Sequence, residues 1–322
     1  MYWLIVGILT GAAENVRRAT AEGRRPSPAF RALAPFGRFV TGHARDDVQV
    51  TTGSIDLPGR GTRDARFYRP PAAARAELPV IVSFHGGGWI SGHVGQSEWW
   101  HSELAARAGA VVIATGYGLA PERTFPDPLE DCYAGLAWVV DNAARLGIDA
   151  NRVAVMGNSV GGIFAAGVTL LARDRSGPHI ALQLLINPYL DLAHDYPSEH
   201  EHADGPLLTR AYMRQTSAQY LAGHDATDPY ASPMLARHDG LPAALIQTAG
   251  RDPLRDQGAA YAVALRAAGV PVRHTDYPHA VHGYSSMPGA VPSARRALRE
   301  VVTVVRDVLH RPPDAARMRD FP

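Results

Sequence analysis

Apolar and polar positions along the chain alternate between two periods. Short runs rich in β-branched residues predict strands: "LPVIVSF" (78–84), "AVVIATGY" (110–117), "RVAVMG" (152–157), "ALQLLIN" (181–187), "AALIQTAG" (243–250) and "PVRHTDY" (271–277). Most are bounded by Gly, Pro or Asp. Helical spacing occupies the intervals near 127–145, 160–174, 256–268 and 293–309. Strands that are apolar throughout belong to a sheet covered on both faces. The alternation therefore predicts an α/β fold of βαβ units around a mostly parallel central sheet flanked by helices. Upstream, "DVQVTTGSIDL" and "TRDARFYRP" predict antiparallel strands at one edge.

Two segments break this rhythm. One is the first 40 or so residues; the other runs from about 191 to 233, is rich in His, Asp, Tyr and Pro, and has a helix-like middle, "LLTRAYMRQTSAQYL". A connection that long between two strands is more often functional than decorative. Both are expected to fold over the carboxyl edge of the sheet as a cap, with 1–40 as an N-terminal cap segment and 41–322 as the main domain carrying the insertion at about 191–233. The run Tyr2 to Ala13 is nearly all apolar but too short to span a bilayer, and no basic residues precede it as in a signal peptide. A helix packed on the body is expected there, and a cytoplasmic location. The alternative is a degenerate export or anchoring signal.

Composition narrows the chemistry. The net charge of +1 in 322 residues, with no block of like charge, argues against nucleic acid or an anionic membrane as partner. All basic residues are arginine, which excludes a Schiff-base lysine. The single cysteine, Cys132, rules out an intrachain disulfide or a cysteine metal cluster and falls in an amphipathic helical stretch, where a buried structural thiol is expected.

Gly157-Asn158-Ser159-Val160-Gly161 fits G-x-S-x-G between a predicted strand and a predicted helix. A glycine-rich packing turn would read the same way. A nucleophilic serine, however, needs a base, a group to orient the base and donors for an oxyanion, and candidates for all three follow predicted strands. Asp252 lies in "AGRDPLRDQG" at a strand's carboxyl end; its neighbour Asp256 is placed to begin the next helix. "YPHAVHGY" offers His279 and His282, and His282 precedes a glycine that allows a turn, leaving His279 as structural. "FHGGGW" puts three glycines, whose N–H groups no side chain shields, directly after an apolar strand. Phosphate binding is the competing use of such glycines, but no G-K-[ST] follows.

With "HGGGW", "YGLAPERTFPDPLEDCYAGLAW", "GNSVGG", "DPLRDQG" and "HGY" in this order, the chain resembles the hormone-sensitive-lipase-like family of α/β-hydrolases, most densely from Pro79 to Tyr284. The resemblance implies an α/β-hydrolase fold with Ser159 as nucleophile, His282 as general base and then acid, and Asp252 orienting His282. It implies an oxyanion hole of Gly87, Gly88 and the N–H of Val160, with Gly86 and His85 shaping the loop. Gly86, Trp89 and Asn158 are expected to meet substrate. Pro121, Glu122, Phe125 and Pro126 match a segment that is structural in the family.

The chain departs from the family at several points. Asn158 and Val160 stand where the family has aspartate and alanine, Tyr284 where it has phenylalanine, and Gly118 where it has arginine, so an internal salt bridge is expected to be missing at 118. None of these removes a triad member.

The expected activity is hydrolysis of short- to medium-chain acyl esters by a serine carboxylesterase, with no metal and no cofactor. An O- or N-deacetylase or a lactonase would use the same triad. A non-catalytic small-molecule receptor on this fold would lack His282. The expected partner is a small acyl ester, with no stable membrane insertion, and a homodimer is expected by analogy with the fold. Trp99 and Trp100 are candidates for either pocket or core. His200, Glu201 and His202 in "SEHEHADG" would share a side only as a strand, and a solvated loop is expected there rather than a metal site.

Overall fold

The computed structural model describes residues 39–71 and 77–310. The expectation for the amino-terminal 1–40 segment therefore lies almost wholly outside the described residues. Eight strands form one sheet: β1 Gln49–Leu57, β2 Gly61–Arg69, β3 Leu78–Phe84, β4 Val111–Thr115, β5 Ile148–Asn158, β6 Leu182–Ile186, β7 Ala243–Arg251 and β8 Val272–Val281. Their spatial order is β1-β2-β4-β3-β5-β6-β7-β8. The β1–β2 and β2–β4 pairs are antiparallel and every other pair is parallel. The two antiparallel edge strands and the central parallel set are those the apolar pattern predicts.

The helices are α1 Glu98–Ala108, α2 Asp127–Asp141, α3 Ala143–Leu146, α4 Val160–Asp174, α5 Pro197–Glu201, α6 Arg210–Leu221, α7 Arg255–Ala267 and α8 Pro292–Leu309. They cover both faces of the sheet. On one face Leu129 and Leu136 of α2, Ile163 and Phe164 of α4, and Tyr261 and Leu265 of α7 pack with Val80, Val82 and Val155. On the other, Leu104 of α1 and Leu298, Val301 and Val305 of α8 pack with Ile81, Val112 and Leu184. Alternate residues of β3 thus enter opposite cores, which is why its apolar run has no polar interruption before Ser83.

Two local expectations change and one open alternative is resolved. The helix expected over 127–145 is two, because Asn142 ends α2 by donating both its backbone N–H (3.1 Å) and its side-chain amide (2.8 Å) to the Trp138 carbonyl. Helix α1 was not foreseen: "EWWHSELAARA" buries His101, Ser102 and Glu103 alongside Trp99, Trp100 and Leu104, so no polar face marks it as a surface helix. Trp99 and Trp100 are core residues of that helix.

At 118, the Gly118 N–H donates to Asp131 (2.9 Å), and this fully buried carboxylate is paired with Arg60 (2.6 Å) and Arg63 (2.8 Å) from the β1–β2 hairpin. The charge compensation absent from position 118 is supplied from the sheet edge.

The two ends of the insertion are tied to each other, and its first part is tied to the body. The Leu192 N–H donates to Ser232 Oγ (2.8 Å), and Ser198 Oγ donates to the Pro253 carbonyl (2.6 Å). Among the described residues no helix is long and apolar enough to cross a membrane.

Candidate active site

Strand β5 runs straight into α4, and Ser159 stands at the junction with φ 56° and ψ −124°. A non-glycine residue in such a conformation costs on the order of 1–3 kcal/mol and persists only where its surroundings enforce it. Here the Ser159 N–H donates to the Ile186 carbonyl (3.0 Å), while its carbonyl accepts from Gly162 (2.9 Å) and Tyr189 (3.1 Å). The flanking glycines are obligatory. A Cβ on Gly157 would lie 1.8 Å from the Gly161 oxygen, and one on Gly161 would lie 2.1 Å from the Phe84 oxygen. The sequence pattern is thus the imprint of a turn with no space for side chains.

β7 and β8 end beside this turn. Asp252 follows β7 and is fully buried; His282 follows β8, and Gly283 behind it adopts φ 71°. His282 Nε2 is 2.9 Å from Ser159 Oγ, and its Nδ1 is 2.8 Å from Asp252 Oδ2. The other Asp252 oxygen accepts the Leu254 N–H at 2.9 Å, so the carboxylate is held at both ends. The two rivals lie elsewhere. Asp256 sits in the first turn of α7 and accepts the Ser198 N–H (2.9 Å), and His279 is exposed on β8.

The glycine loop follows β3 and faces the same serine. Gly87 and Gly88 have φ 134° and 63°, and a Cβ on Gly87 would lie 2.0 Å from the Ser91 oxygen. His85 Nδ1 is 2.8 Å from the Gly86 oxygen, and Tyr117, its ring stacked on His85 at 4.2 Å, donates its hydroxyl to the His85 carbonyl (2.7 Å). Burial pushes the Tyr117 hydroxyl well above its ordinary pKa, which keeps it a donor. Val160 is the first residue of α4, where a backbone N–H has no acceptor within its own helix.

These elements border a cavity of about 640 Å³ lined by Gly86, Gly87, Gly88, Trp89, Asn158, Ser159, Val160 and His282. Trp89 is buried, with its indole stacked on Tyr220 at 4.9 Å. The insertion, expected as a cap, supplies much of the rest of the wall, although the sequence does not single out which of its residues do so. Leu207, Leu208, Tyr212, Met213 and Thr216 come from the insertion and α6, Tyr189 from the loop after β6, and Ser286 and Met287 from beyond His282. The helix-like middle of the insertion was the available signal, but which of its residues face the cavity depends on how α6 is set by its cap, where Thr209 Oγ1 accepts the Tyr212 N–H (3.1 Å).

The remaining candidates fall outside the site. His200 and Glu201 end α5 and His202 follows it, so the two imidazoles do not share a side: His200 is 3.6 Å from Asp195, and His202 is 3.1 Å from the Gly250 oxygen. Cys132 is buried in α2, and burial pushes its thiol well above the ordinary range.

Residues 81–286 match a family model described as the alpha/beta hydrolase fold. The chain is 40% identical over 269 residues to carboxylesterase NlhH of Mycobacterium tuberculosis, spanning 82% of this chain and 84% of that one. It is 35% identical over 280 residues to an ethyl acetate hydrolase of Pseudomonas putida, spanning 84% and 86%. Among solved structures, the thermostable carboxylesterase EstE1 from a metagenomic library superposes with a TM-score of 0.81 at 34% identity, covering 88% of this chain and 96% of that one.

Proposed function

The chain belongs to the α/β-hydrolase fold family, among its hormone-sensitive-lipase-like carboxylesterases, and from that premise we propose that it hydrolyses short- to medium-chain acyl esters through Ser159, His282 and Asp252. That it is a carboxylic ester hydrolase follows from its relatives; the residue roles and the acyl preference are the proposal.

The observation that carries the roles is the unbroken line from Ser159 Oγ through His282 (2.9 Å) to the buried Asp252 (2.8 Å). Ser159 Oγ attacks the ester carbonyl as His282 Nε2 takes its proton. The Gly87, Gly88 and Val160 N–H groups donate hydrogen bonds to the carbonyl oxygen as negative charge develops on it. The tetrahedral intermediate collapses as His282 returns the proton to the departing alcohol. Water then attacks the acyl-enzyme by the same proton route and releases the acid. Asp252 holds the His282 tautomer that leaves Nε2 free to accept, and it balances the imidazolium that forms. These steps need no metal or cofactor.

The acyl preference rests on the wall. Val160 is β-branched beside the nucleophile, and Leu208, Met213 and Tyr212 bound a cavity of about 640 Å³, near the middle of the range of ordinary small-molecule pockets and so sized for small to medium esters. The named activity of the ethyl acetate hydrolase points the same way.

The test is turnover of p-nitrophenyl acetate, butyrate, octanoate and laurate, with Ser159→Ala alongside. The expectation is turnover of the shorter esters, falling at laurate, and a drop of at least about 10³-fold in the folded variant. Equal rates in the two proteins would reject the assignment of Ser159.

A further inference from the structure

Three backbone N–H groups face the reacting oxygen in this reading. In each case the carbonyl of the same peptide unit is held by two hydrogen bonds. The peptide unit is planar and trans, so its N–H points opposite its C=O, and fixing one aims the other. The Val160 N–H shares its unit with the Ser159 oxygen, which accepts from Gly162 (2.9 Å) and Tyr189 (3.1 Å). The Gly87 N–H shares its unit with the Gly86 oxygen, held by His85 Nδ1 (2.8 Å) and Gln96 Nε2 (3.1 Å). The Gly88 N–H shares its unit with the Gly87 oxygen, which accepts the backbone N–H (3.1 Å) and the hydroxyl (2.8 Å) of Ser91.

The clamp on Val160 is backbone at the head of a helix. The two loop units are glycines with φ 134° and 63° at Gly87 and Gly88, the residue type with the widest torsional freedom, so their aim depends on side chains. Gln96 is itself fixed, its Oε1 accepting the His93 N–H at 3.2 Å.

We propose that Ser91 and Gln96 are positioning residues that aim the Gly88 and Gly87 N–H groups at the developing oxyanion. The proposal rests on the reading of Ser159 as nucleophile and of this loop as its oxyanion hole. Removing a whole donor from such a hole costs about 10²–10³ in kcat. Each clamp here has a second bond that survives the substitution, so tilting one donor is expected to cost about 5- to 30-fold.

The experiment measures kcat and KM for p-nitrophenyl butyrate, and Ki for an alkyl trifluoromethyl ketone, whose adduct with serine places an oxyanion in the hole. The variants are Ser91→Ala, Ser91→Thr, Gln96→Ala and Gln96→Glu, each with its thermal midpoint. The expected result is a lower kcat with KM within about twofold, and a Ki that rises by the factor by which kcat/KM falls. Ser91→Thr, which keeps a hydroxyl, restores kcat; Gln96→Glu, which keeps the length and loses the donor, behaves as Gln96→Ala.

An unchanged kcat, or a loss carried by KM with Ki unmoved, overturns the proposal and leaves Ser91 and Gln96 as part of the wall or the scaffold. Failure of the underlying reading is separate and overturns both: Ser159→Ala would stay active, or the ketone would not inhibit the parent enzyme.

Discussion

His282 Nε2 lies 2.9 Å from Ser159 Oγ although 123 residues separate them in sequence. Two parallel strands, β6 and β7, stand between the strand that ends at the serine and the strand that ends at the histidine. The contact is therefore a property of the whole sheet, since it requires every intervening register to be correct.

The partner on the far side of that histidine is replaceable in shape but not in charge. In Asp252→Asn, one side-chain atom must become an N–H₂ facing either His282 Nδ1 or the Leu254 N–H, both of which meet acceptors now. The wrong tautomer of His282 follows, and kcat is expected to fall by about 10³–10⁴-fold with folding intact. Steady-state rates beside a thermal melt check both halves.

Within α4, two glycines should differ sharply in their tolerance of alanine. At Gly161 the new Cβ would lie 2.1 Å from the backbone oxygen of Phe84, and Gly161→Ala is expected to lose more than about 3 kcal/mol or fail to accumulate. At Gly167 the nearest atom is the end of a flexible side chain, Leu129 Cδ1 at 2.8 Å, and the gain in helix propensity of about 1 kcal/mol offsets its displacement. Urea unfolding of Gly167→Ala should lie close to that of the parent.

The buried carboxylate of Asp131 has Arg60 and Arg63 as its charge partners. Removing one of them leaves a poorly compensated charge in the core. Arg63→Ala is expected to destabilise the protein by about 2–4 kcal/mol without altering KM, and Arg60→Ala/Arg63→Ala by more. Denaturant midpoints and ester kinetics on the same preparations decide this.

Glu300 gives a prediction with a definite sign in pH. Burial pushes its carboxyl up, but hydrogen bonds from Thr275, Gln247, Tyr277 and Arg273 outweigh burial and hold it below the ordinary range. Its donors lie at 2.6 Å (Thr275), 2.8 Å (Gln247), 2.9 Å (Tyr277) and 2.5 Å (Arg273). A depressed carboxylate contributes stability above its unfolded value and loses it as pH falls through its folded value. The thermal midpoint of Glu300→Gln should therefore lie below that of the parent at neutral pH. The gap should close as pH drops through and below the ordinary glutamate range; a gap that widens in acid would contradict the assignment.

The core of the fold was legible because β3, β4 and β6 are buried on both faces and read as mainly apolar runs, with Ser83, Thr115 and Gln183 as their polar members. The turn at Ser159 was legible because glycine at 157 and 161 is the chemical trace of backbone packed on backbone. Helix α1 was hidden for the converse reason, since its buried His101, Ser102 and Glu103 erase the polar–apolar stripe. The roles inferred for Ser91 and Gln96 turn on which way a carbonyl points, which composition and spacing do not encode. Tyr212, Met213 and Thr216 reach the cavity from successive turns of a helix capped by Thr209, so their presence was visible while their facing was not.

The groups that would carry out the reaction hang from the carboxyl ends of β3, β5, β7 and β8, whereas Leu207, Leu208, Tyr212, Met213 and Thr216 belong to one insertion whose two ends are tied to each other, at Leu192 and Ser232. Much of the wall is thus written in a stretch of the gene apart from the strand ends, while Trp89, Val160 and Tyr189 belong to the frame itself. Changes confined to residues 207–216 are therefore expected to alter which esters enter while the strand ends keep their geometry, so that appetite can be retuned without touching the frame beneath it.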